Sequence, residues 1–398
     1  MQSGDGRANI AWPMKALPPL SLYVHFPWCV SKCPYCDFNS HSLKGTLPAT
    51  AYIDAVLADL DTEVCSVSGR PLISVFMGGG TPSLFPPESI DRLLKQVGER
   101  FDLIPTAEVT MEANPGTVEH GAFEGYRAAG VSRLSLGVQS FADDKLRALG
   151  RIHNAQVARR AFAEARAAGF ENINIDLMYA LPGQSLADAK ADVEMALALR
   201  PEHISYYHLT LEPNTVFYAR PPALPDDDLA WDIQLQATEL LQGGGYSNYE
   251  ISAWSTETFE CQHNLNYWRF GDYLGIGAGA HSKITGTDGR VLRGARTAHP
   301  RDYLQKSGTA GAAAWHEVDT ENIIFEFMLN NLRLRSGFSR EDFERRTGLS
   351  ADLMQGGLKK AMDLGLLVET QPGHLQPSAR GRLFLDDLQS LFLPTGGG

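Results

Sequence analysis

Cysteine is scarce in this chain: five in 398 residues. A disulfide scaffold needs more of them, in pairs, so that class is excluded and a reducing, cytoplasmic location is expected. Long apolar runs are missing too, and nothing approaches the roughly 20 residues of a membrane span. The first twenty residues lack the apolar stretch of a secretory signal and read as a disordered lead over 1–20. Basic charge is in deficit, with 35 Lys and Arg against 47 Asp and Glu and a net charge of −12. Broad phosphate neutralisation, and with it a nucleic-acid partner, is not expected. Apolar material is plentiful: 43% hydrophobic against 21% charged residues is the balance of a globular protein, long enough for two or three domains.

Over 21–252 the text alternates. Strand-like runs ("SLYVHF", "PLISVFM", "AEVTMEAN", "RLSLGVQS", "NINIDLMYA", "HISYYHLTL") are each followed by an amphipathic stretch. Gly130 and Gly169 stand where helices should stop; Pro87 and the Asp226–Asp228 run stand where they should start. Six βα units imply a parallel sheet, either open and doubly wound or an incomplete barrel. In both, function gathers at the carboxyl ends of the strands. There lie the cysteine loop, "GGGTP", Glu112 with Asn114, Gln139 followed by Arg151 and His153, Asp176, and His208 with Thr210. Residues 253–299 read as an aromatic and Gly-rich connecting region. From 300 to 398, three helix patterns and a hairpin around "QPG" predict a winged-helix-like α+β domain. That segment has eleven basic and thirteen acidic residues, so packing suits it better than DNA binding.

"CVSKCPYC" places Cys29, Cys33 and Cys36 in one short loop. Three thiolates are soft ligands. A closed zinc site wants a fourth ligand, which His41 could supply. An iron–sulfur cluster with only three thiolates keeps one iron open to a small chelating molecule.

The spacing, the loop after a first strand and the following "GGGTP" resemble the radical S-adenosylmethionine (SAM) superfamily. "EANP", "LGVQSF…LGRIH" and "INIDLMYALPGQ" extend the resemblance to its coproporphyrinogen dehydrogenase-like branch. The resemblance implies a partial (β/α)6 TIM-like barrel with an added C-terminal domain, and a 4Fe–4S cluster on Cys29, Cys33 and Cys36. It also implies SAM held by Tyr23, Tyr35, Gly79, Gly80, Thr81, Glu112, Gln139, Arg151 and Asp176. His281 in "GAGAHS" is a weaker candidate for the adenosine end. "GIGAGA" lacks a following helix and is not a dinucleotide fingerprint.

Two departures bear on the reaction. Phe38 stands where the decarboxylating enzymes of the branch carry a further cysteine, and their N-terminal extension has no counterpart before the first strand. "HNLNYW", from His263 to Trp268, resembles instead the haem-chaperone family of the branch. That implies haem as cargo, client haem apoproteins (respiratory ones at a membrane among them), and His263 as a haem ligand beside Tyr267 and Trp268. Oxygen-independent oxidation of coproporphyrinogen III is the alternative, so whether the chain is an enzyme stays open. Cys261 and Cys65 are expected to be packing residues.

Overall fold

The structure is a computed structural model that describes residues 16–67, 69–117 and 122–394. The first fifteen residues of the expected disordered lead lie outside the described residues, and Leu20 already opens the first strand.

Strands and helices alternate as β1 (Leu20–Phe26), α1 (Ala49–Glu63), β2 (Leu72–Gly79), α2 (Pro87–Arg100), β3 (Leu103–Ala113) and α3 (Ala122–Ala128). The series continues with β4 (Arg133–Gln139), α4 (Ala155–Ala167), β5 (Ile173–Tyr179), α5 (Leu186–Leu199), β6 (His203–His208) and α6 (Asp227–Gly243). β1 to β6 pair in sequence order and in parallel. Local signals set the helix limits. Pro87 occupies the first turn of α2, and the Asp226 carboxylate accepts the Leu229 N–H at 2.9 Å to start α6. Gly130 and Gly169, both at positive φ, follow α3 and α4.

Side chains alternate faces along a strand. On β1, Leu20, Leu22, Val24 and Phe26 are buried in the core that α1 completes with Tyr52, Val56 and Leu60. Ser21, Tyr23 and His25 take the opposite face. β3 repeats the pattern, with Val109, Met111 and Ala113 on one face and Glu108, Thr110 and Glu112 on the other. A parallel sheet covered on both faces by helices would read as continuous hydrocarbon. Here the inner face is polar and lines a lumen.

The sheet curls without closing. It gains β7 (Ser247–Asn248), β8 (Ala253–Ser255), β9 (Asp272–Ile276), β10 (His281–Thr285), β11 (Val291–Arg296) and β12 (Ala313–Glu317). The strand order is β12-β11-β10-β9-β1-β2-β3-β4-β5-β6-β8-β7. β9 is parallel to β1, and β8 and β10 are antiparallel additions on either side. Residues 253–299, expected as a connector, thus supply four strands of the main sheet. An internal ion cluster anchors them. The buried Asp272 carboxylate accepts from Lys283 Nζ (2.9 Å), Arg70 Nη2 (2.8 Å) and both Thr285 donors. Burial alone would raise its pKa; Lys283 and Arg70 outweigh burial and hold it below the ordinary carboxyl range.

A second core is built on Phe327, Phe338, Phe343, Leu358 and Leu375. Around it lie helices Thr320–Asn331, Arg340–Thr347 and Gln355–Asp363, with a hairpin of Leu367–Gln371 and His374–Pro377. Ser339 and Asp342 form a reciprocal capping box at the second helix. This is the expected winged-helix-like unit. Among the described residues no helix is long and apolar enough to cross a membrane.

Candidate functional site

The cysteine loop leaves the carboxyl end of β1 and is tied back on itself. Trp28–Cys29 pairs with His41–Ser42, and the Leu43 N–H donates to the Cys29 carbonyl at 2.8 Å. A tight turn joins the Cys36 N–H to the Cys33 carbonyl at 3.1 Å. All three thiols are free and half-buried. Burial pushes the Cys29 and Cys36 thiols up, while Thr81 beside Cys29 and Ser40 beside Cys36 pull the other way. Asn39 pins the loop from outside: its Nδ2 donates to the carbonyls of Ala278 (2.9 Å) and Ala298 (2.8 Å). His41 turns away from the thiols, with Nε2 at 3.2 Å from Asn39 Oδ1 and its ring against His299. Among the described residues no three His, Cys, Asp or Glu side chains close around a single ion. Three thiols on one loop, none shared with an imidazole, suit a multi-iron group that takes one thiolate per iron.

"GGGTP" packs directly under that loop. The Gly80 and Thr81 N–H groups donate to the carbonyls of Phe26 (2.6 Å) and Trp28 (2.8 Å). Gly79 has φ +105, and a Cβ there would lie 2.3 Å from the His25 ring. His25 in turn takes the Tyr23 hydroxyl on Nδ1 (3.0 Å) and reaches the Asn39 carbonyl through Nε2 (2.9 Å). The glycines therefore let the second strand end press against the first and its loop.

The other polar residues line the lumen beside it. The Glu112 carboxylate accepts the Gly79 N–H at 3.1 Å. Asp176 accepts from Ser135 Oγ (3.1 Å) and Asn174 Nδ2 (2.8 Å). Gln139, a non-glycine at φ 70, accepts the Tyr207 hydroxyl at 2.5 Å. Gly150, also at positive φ, sits where a Cβ would meet Pro34 Cδ at 2.8 Å. That contact draws the "LGRIH" turn onto the cysteine loop. Arg151 Nη1 then lies 3.6 Å from Cys33 Sγ while Nη2 donates to the Gly137 carbonyl at 2.7 Å. Tyr35 packs against Phe217 on the same side. The Arg151 Nε is buried with no partner in the protein. An orphaned guanidinium donor beside three thiols fits a ligand bearing a carboxylate. His281 is exposed at the start of β10.

Burial first, and the nearby Asp176 charge second, push Glu112 up from 4.5 to about 7. The folded state therefore binds a proton that the unfolded chain has lost. Its stabilising share is full below about 4.5 and disappears as pH rises through about 7. Glu112→Gln should flatten that part of the stability profile, as urea unfolding across the window would show.

His263 is not at this end. It sits on α7 (Gln262–Trp268), which packs against Ser21 of β1 and Ser74 of β2, with the His263 ring 6.2 Å from that of Tyr23. Its Nδ1 is 3.1 Å from Ser74 Oγ, its N–H donates to Glu108 at 3.3 Å, and its ring lies on Phe76. Burial pushes its pKa down to about 3, so the ring is neutral. In this structure the ring of the expected haem ligand is buried and bonded to Ser74. Asn266, which was not singled out, bonds Ser21 Oγ and the Asp272 carbonyl, both at 2.9 Å. Tyr267 packs edge-on to Trp268, whose face carries Arg333 of the C-terminal unit at 4.2 Å. The motif joins barrel base to second domain. Cys261 is buried there, donating to Glu108, and Cys65 is exposed rather than packed.

Comparison with known proteins now decides the family. The Radical SAM superfamily pattern matches residues 23–196, and the HemN C-terminal domain pattern matches 318–384. The chain is 49% identical to heme chaperone HemW of Escherichia coli (strain K12), over 96% of this chain and 100% of that one. The chain belongs to the HemW family. The HemW of Haemophilus influenzae is 48% identical over 96% of this chain and 99% of its own. Among solved structures, E. coli coproporphyrinogen III oxidase (HemN), described as a radical SAM enzyme, superposes with a TM-score of 0.79 at 25% identity, covering 96% of this chain and 91% of that one. Sequence reasoning missed Asn39, His25, Ser40 and Tyr207, which hold the candidate site residues in place. Only their closeness in sequence to the cysteines or to a strand end could have pointed to them.

Proposed function

We propose that the chain is a haem chaperone. The full-length likeness to HemW carries this reading. Cys29, Cys33 and Cys36 would hold one 4Fe–4S cluster. Arg151, with its unpartnered Nε, would take the SAM carboxylate, and Glu112 and Asp176 would accept from its ammonium or ribose hydroxyls. When bound, the cluster supplies one-electron reducing power at the open end of the lumen. The protein's own part is to orient SAM between Arg151 and the carboxylates and to keep water from the half-buried thiols. Haem would then pass to client apoproteins, including respiratory ones at a membrane, from a cytoplasmic carrier. The HemN-like fold supports a second reading, decarboxylation of coproporphyrinogen III. Against it, Phe38 is an exposed phenyl ring that offers no ligand.

One test separates these readings, and a second asks whether His263 holds the haem. Incubating coproporphyrinogen III with the anaerobically reconstituted protein, SAM and a reductant should give no decarboxylated product; turnover would favour the oxidase. His263→Ala should cost stability, about 1–3 kcal/mol for the unpaired buried groups it leaves, without weakening haem uptake. Uptake lost in a variant that unfolds like the parent would restore His263 as a ligand.

A further inference from the structure

A cavity of about 680 Å³ lies on the outer side of the cysteine loop, away from the lumen. It is within the roughly 300–1,000 Å³ range of small-molecule sites. Trp28, Leu43 and Leu304 give it apolar walls, and Lys32, Lys44 and Arg301 stand in its lining. No carboxylate lines it, in a chain whose net charge is −12. Among the described residues neither Lys44 nor Arg301 has an ion-pair partner, and the Lys32 Nζ donates to the Phe38 carbonyl at 3.0 Å. Two imidazoles complete the lining: His41 and His299 meet nearly edge to face, 5.3 Å between ring centres.

This combination is specific. Apolar walls want a flat hydrophobic body. Three unpaired cations want carboxylates or another polyanion. An imidazole pair wants a metal or a hydrogen-bonding edge. A haem has all three features: an apolar macrocycle, two propionates and an iron. We propose that this cavity, and not the buried His263, takes the haem; the inference rests on the haem-chaperone reading above.

The hydrogen bonds divide the two rings. Asn39 Nδ2 donates to two carbonyls, which fixes Oδ1 as an acceptor and places the His41 proton on Nε2. His41 is thereby held as a wall. His299 uses Nδ1 to accept the Arg301 N–H at 3.3 Å, a long bond. Moving its proton from Nε2 to Nδ1 sacrifices only that bond and frees Nε2 for iron. A ligand that gives up a weak cap on binding and regains it on release suits a carrier that must part with its cargo.

The test is a titration of the anaerobically reconstituted full chain with haem, read in the Soret band. Lys44→Glu with Arg301→Glu alters two exposed side chains, so folding is spared, and cluster absorbance checks that it is. The double variant should bind haem roughly tenfold or more weakly. His299→Ala should move the Soret maximum, and His263→Ala should leave it in place. Saturable uptake by the parent that neither cavity variant changes would overturn this site while the chaperone reading stands. No saturable uptake by the parent would overturn both.

Discussion

Cys33→Ala should abolish the broad iron–sulfur absorption that anaerobic reconstitution gives the parent chain. The effect is expected to be near-complete. A cluster on three thiolates has no spare protein ligand, and His41, the fourth ligand considered for a closed zinc site, is committed to Asn39 and packed on His299. Cys33 also faces Arg151, so its loss removes the sulfur closest to the proposed carboxylate anchor. Arg151→Met separates the two roles. It should keep the cluster and lower SAM affinity by roughly tenfold or more, since a charge-assisted contact is lost. Unchanged iron and sulfide content in Cys33→Ala would sink the assignment of the loop.

Gly79→Val should be strongly destabilising. The residue lies at φ +105, and any Cβ would sit 2.3 Å from the His25 ring. A β-branched residue resists that backbone, and the ring it displaces bonds both Tyr23 and Asn39. Overpacking and strain together should cost about 3 kcal/mol or more. Urea unfolding would measure it. Gly98→Val is a useful control for a helical glycine, because nothing lies within 4 Å of a Cβ at Gly98. Equal losses in the two variants would mean that close packing at the strand end is not the cause.

The six crossover strands were legible because each is a compact run of β-branched and aromatic residues followed by a helix with its own stop or start. β9 was not legible. "DYLGI" is five residues in glycine-rich text, and its partner β1 lies near the other end of the chain. Local periodicity cannot report a pairing at that distance. The three cysteines were visible as one loop from their spacing, and of the residues named at the strand ends Glu112 and Asp176 stand close enough to act on one another's charge. The burial of His263 was not legible for a physical reason: an imidazole beside aromatics in sequence looks the same whether it faces a porphyrin or a buried serine. The structure distinguishes them through Ser74 and Glu108, which stand on two other strands. The cavity at His299 was equally invisible, because Lys32, Lys44 and Arg301 come together only through the pinning of the cysteine loop by Asn39.

The most direct measurement is a haem titration of the reconstituted parent chain, followed by mixing the loaded protein with a haem-free client. The chaperone reading predicts saturable, stoichiometric uptake and loss of the carrier's Soret signature as the client gains its own. No saturable uptake, with turnover of coproporphyrinogen III by the same preparation, would contradict it and establish the oxidase in its place.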